Sequence, residues 1–149
     1  MRNNKIRAFL AVTAIILSFL AAGCKQNEII EIREKMFATQ VDDIYMNTAD
    51  YLGKTIKLEG IFLIRENNGE PVFYVIRHVI DECCGNGLSG FEVRLPKTQS
   101  APAQIPEDDS WVEAAGLLSE YEEGYRKFLY LELTSIAVLD KRGMEFVTR

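Results

Sequence analysis

Residues 54–80, KTIKLEGIFLIRENNGEPVFYVIRHVI, constrain the fold more than any other stretch of the chain. Ile56, Leu58, Gly60, Phe62 and Ile64 recur at every second position, the period that lines one face of a β-strand. Asn68-Gly69 then supplies the residue pair that best tolerates positive φ at both central positions of a two-residue hairpin turn. PVFYVIRHVI reads as the return strand, and Pro71 at its start removes no ladder bond that a central strand would need. A hairpin this long and this apolar must be covered or closed, because an open edge of Val, Ile and Phe would pair with other chains.

Three further strands complete the pattern. GFEVRLP (90–96) alternates Phe91, Val93 and Leu95 with Glu92 and Arg94. WVEAAGLLSEY (111–121) and KFLYLELTSIAVL (127–139) flank the turn EEGYR, and Gly116 marks a bulge or bend. KTQSAPAQIPEDDS (97–110) is polar and broken by Pro102 and Pro106, so it holds little regular helix. Upstream, Asn47 or Thr48 starts a single helical turn closed by Gly53. The ambiguous segment 27–47 reads as extended from about 37 to 45. The expected fold is all-β: a small five-stranded barrel of the OB type, with glycines at 60 and 116 easing its curvature. An open antiparallel sandwich is the rival.

Ahead of the barrel lies a segment that does not belong to the fold. MRNNKIR carries Arg2, Lys5 and Arg7, AFLAVTAIILSFL is an apolar run too short to span a bilayer, and Ala21, Ala22 and Gly23 precede Cys24. This is a lipoprotein-type signal peptide over 1–23 with Cys24 as the acylated residue. The expected location is the bacterial envelope, outside the cytoplasm, with the chain held on the membrane by lipid. The remaining chain divides into an N-terminal extension (24–46) and the barrel (47–149). Loss of the three basic residues takes the net charge from −5 to −8. No cluster of Lys or Arg offsets that, so nucleic acid is not expected as a partner.

The most reactive stretch is HVIDECCGNGLSG (78–90), which holds the chain's single histidine and two adjacent cysteines. Thiolates and imidazole suit zinc or copper(I), so Cys83, Cys84, His78 and Asp81 form a candidate metal site. A redox pair is the alternative, although adjacent Cα atoms about 3.8 Å apart force a strained bridge. The plainer readings are two small apolar residues in a glycine turn and a half-exposed histidine at a strand end. Carboxylates in EYEEGY and PEDD read as solvated turns. With one histidine and no nucleophile elbow or phosphate loop, an enzyme is not expected.

Taken together, EKMFATQVDDIYMNTADYLGKTIKLEGIF, CCG…GFEV and WVEAAGLL resemble an uncharacterised family of bacterial secreted or lipid-anchored OB-like proteins, often encoded beside a predicted permease. The resemblance covers nearly the whole chain after the signal peptide. It implies the OB-like fold, the envelope location and a membrane or permease partner, and it implies no activity. Relatives tend to carry an acidic residue just after the cysteine pair, where this chain has none before Gly90. The expected role is a lipid-anchored binding or accessory module, with a thiol-dependent redox protein and a structural lipoprotein that docks another protein as alternatives.

Overall fold

The computed structural model describes residues 28–81, 85–95 and 105–149. Five long strands form a closed ring. They are β2 (Thr55–Asn67), β3 (Glu70–Asp81), β4 (Gly85–Arg94), β5 (Trp111–Glu123) and β6 (Arg126–Val138). β2 pairs with β3, β3 with β4, β4 with β6, β6 with β5, and β5 returns to β2. Every junction is antiparallel except β4–β6, which is parallel from Glu92↔Tyr130 to Arg94↔Glu132. That order and that single parallel junction are the OB-fold topology, so the barrel expected from the sequence is present. Two short strands are added at its margins: β1 (Ile29–Glu31) runs parallel to β2, and β7 (Phe146–Thr148) parallel to β3.

The turns follow from local chemistry. Asn68 and Gly69 sit at φ 53° and 84°, the left-handed pair that a type I′ turn requires. The return from β5 to β6 uses the two residues Gly124 and Tyr125, with Gly124 at φ 64°. A register shift falls between Ala115 and Gly116, at the expected bulge. Ile56, Leu58, Phe62, Val75, Phe91 and Leu131 point inward and are almost wholly buried.

Two expectations are corrected. The segment read as extended from 37 to 45 is a helix, α1 (Phe37–Met46), followed by a single turn, α2 (Thr48–Tyr51). Phe37, Ala38, Val41 and Ile44 are buried in the same core as the barrel strands, a stripe at helical spacing. α1 packs against β4 and β7, so a helix from before the first barrel strand covers the core. The second correction concerns the glycine-rich stretch 85–90, read as loop. It is strand from Gly85 onward, paired rung by rung with β3 from Asp81↔Gly85 to Ile76↔Gly90. The continuous apolar run of β3 offers a full set of ladder partners, and that outweighs the poor strand propensity of glycine.

Where β2 and β3 part, one buried cation fills the gap. Their pairing starts at Ile61↔Ile76. Just before it, Arg77 Nε donates to the Glu59 carbonyl at 2.9 Å, and Nη1 donates to the Met144 carbonyl at 2.9 Å. Glu34 lies 3.4 Å from Nη1, and the guanidinium is sandwiched between the rings of Phe37 and Trp111 at 4.8 and 4.9 Å. Arg77 thus ties the segment before α1 and the segment before β7 to the barrel wall.

Candidate binding face

The outward side of the barrel follows the opposite parity to the core. Between Val75, Phe91 and Leu129, which face inward, the chain places Tyr74, Glu92 and Phe128 outward. Tyr121 joins them from β5. With Tyr45 from α1 and the aliphatic Leu63, Ile76 and Leu88, these residues line a hollow of about 460 Å³. It lies across the second and third barrel strands, with residues near both hairpin tips (Asn67 before the first, Glu123 and Lys127 around the second) at its rim. Its size falls within the range of small-ligand sites, roughly 300–1,000 Å³.

A polar and aromatic network forms its wall. Glu92 accepts from Tyr121 Oη at 2.8 Å and from Arg94 Nε at 2.7 Å. The Arg94 guanidinium stands 4.1 Å from the ring centres of both Tyr121 and Tyr130, a double cation–π contact. Tyr121 also stacks on Phe128 at 5.3 Å. Tyr45 stacks on Phe91 at 5.4 Å and donates its hydroxyl to the Gly90 carbonyl at 3.1 Å. Burial against these groups, reinforced by the Glu92 charge, pushes the Tyr45 hydroxyl up to about 12. Tyr121 is pushed up to about 12 by burial and by its bond to Glu92. Tyr74 moves in the same direction for the same first reason. All three phenols therefore remain protonated donors throughout the physiological range.

Gly90 gives the hollow its floor. It lies at φ 149°, and a Cβ there would come within 2.1 Å of the Val75 carbonyl oxygen. No other residue allows β4 to run this close to β3 while offering its own carbonyl to Tyr45.

The residues singled out from sequence chemistry fare differently. Cys24, Cys83 and Cys84 lie outside the described residues. His78 stacks on Phe146 at 5.0 Å, beside the exposed Leu88. Asp81 accepts from Arg149 at 3.4 Å, and Arg149 also pairs with Asp42 of α1. Strand alternation aims His78 and Asp81 at opposite faces of β3, so a single ion near the turn would take one or the other. Among the described residues no group of three His, Cys, Asp or Glu side chains gathers as a metal site. The outward aromatics carried a signal in the sequence: Tyr74, Tyr121, Phe128 and Tyr130 stand out of phase with the core positions of their own strands.

A family model described as the DUF1980 C-terminal domain matches residues 18–147. No curated protein matches the chain. Among solved structures, the dimeric N-terminal domain of PriB protein from Thermoanaerobacter tencongensis is similar at 20% identity. The match covers 58% of this chain and 97% of that one, with a TM-score of 0.33.

Proposed function

The chain belongs to the DUF1980 C-terminal domain family, and on that premise we propose that it is a non-catalytic binding module of the bacterial envelope, held on the membrane by lipid at Cys24. Its ligand lies across the hollow on the second and third barrel strands, where OB barrels present their binding surface. The observation that carries this reading is the convergence of outward aromatic side chains from α1, β3, β5 and β6 on one hollow on the outer side of the barrel. Phe128→Ala and Tyr74→Ala together abolish capture of the ligand from envelope extract while the variant still unfolds in one cooperative transition. Capture undiminished by the double variant would sink the reading.

The finer reading places a thiophilic metal, zinc or copper(I), on Cys83 and Cys84 with His78 or Asp81, serving a neighbouring permease. It is supported by position along the chain: Cys83 and Cys84 fall between Asp81 and Gly85, which pair with one another across β3 and β4. Anaerobic titration of the full chain with zinc or copper(I) yields one ion per chain, and none after Cys83→Ser with Cys84→Ser. An intact mass lower by two hydrogens after mild oxidation, without metal uptake, would favour the redox alternative.

A further inference from the structure

We infer that the ligand of this face is a neutral, polyhydroxylated chain, an oligosaccharide; the inference rests on the binding face proposed above. Charge is the first argument. The hollow holds two cations, Arg65 and Lys127, against two carboxylates, Glu92 and Glu123. Lys127 is already paired with Glu120 at 2.9 Å, and Arg94 at the wall with Glu92 at 2.7 Å. A polyphosphate backbone needs unpaired cations in number, and this surface does not supply them. A neutral polymer requires none.

Satisfaction of polar groups is the second argument. An aliphatic or lipid ligand would cover Tyr45, Tyr121 and Glu92 and leave their remaining lone pairs desolvated, at a cost for each. Sugar hydroxyls restore those bonds at the ring edge, while the C–H face of a sugar ring lies flat on an aromatic side chain. The hollow provides both elements side by side. Flat rings come from Phe128 and Tyr74. Polar groups come from the Glu92 carboxylate, held by Tyr121 and Arg94, and from Asn67 and Arg65 at the rim. Because Glu92 is fixed before the ligand arrives, little ordering remains to oppose binding.

The test is calorimetric titration of the full chain with three probes: chitohexaose or cellohexaose, a neutral extended peptide, and a single-stranded oligothymidylate. Either hexasaccharide binds, and Phe128→Ala weakens it about tenfold, the loss of one stacking contact. Tyr51→Phe, on α2, leaves it unchanged. Binding of the peptide or the oligothymidylate alone, sensitive to Phe128→Ala, would overturn the oligosaccharide and keep the face. Saccharide binding indifferent to Phe128→Ala and Tyr74→Ala would overturn both, as would silence from all three probes.

Discussion

Gly90 and Arg77 each make a close contact within the barrel that a substitution would break. At Gly90 a methyl group has no room against the Val75 carbonyl, and the positive φ adds strain of its own. Gly90→Ala is expected to cost about 3 kcal/mol, read as a lower denaturation midpoint at unchanged slope. Arg77 is 1% exposed and is hydrogen-bonded to two carbonyls. Replacing it with methionine keeps the stem but strands both carbonyls, and about 3 kcal/mol is the expected loss. Tyr45 and Tyr121 make a different prediction. A phenol whose folded-state pKa lies above its unfolded value near 10 favours folding fully below pH 10, and that contribution disappears as pH rises through about 12. Stability should therefore fall between pH 10 and 12, and phenolate absorbance should show late titration that moves earlier in Tyr121→Phe.

At the scale of elements, α1 behaves as part of the barrel. Ile44 is 1% exposed and packs in the core cluster that holds Val75 and Phe91. Ile44→Ala should lower stability by about 3 kcal/mol and leave a single cooperative transition for helix and barrel signals alike. Separate transitions would show α1 to be an independent appendage. The helix was the element hardest to read in the sequence. Met36 fits an alternating frame with Ile30 and Ile32, yet Met36 is half exposed, and the stripe that matters begins one residue later with Phe37, Val41 and Ile44. The barrel strands were legible because alternation, Asn68-Gly69 and the bulge at Gly116 all agree. β1 and β7 were not, since three residues that pair in parallel leave no periodic trace. Only part of the candidate face was legible, because the outward aromatics could be recognised but not their convergence, which depends on ring closure through the parallel β4–β6 junction.

For the molecule as a whole, the charge and the anchor make the prediction. With Cys24 acylated as proposed, wild-type chain is expected in the membrane fraction and Cys24→Ser in the soluble envelope fraction, as cell fractionation with acyl labelling would show. An unchanged distribution would remove the tether from the account. With residues 1–23 removed, a net charge of −8 would keep the barrel from adhering to anionic lipid, so the acyl chains alone would hold it there.

β1 sets the length of that leash. It begins at Ile29 and is stitched to β2, so only residues 25–28 would separate an acylated Cys24 from the folded body. Even drawn taut, five peptide steps reach about 17 Å. A barrel so moored would meet the membrane-proximal layer of the envelope and little beyond it, and whatever it grips would have to come to the bilayer to be gripped.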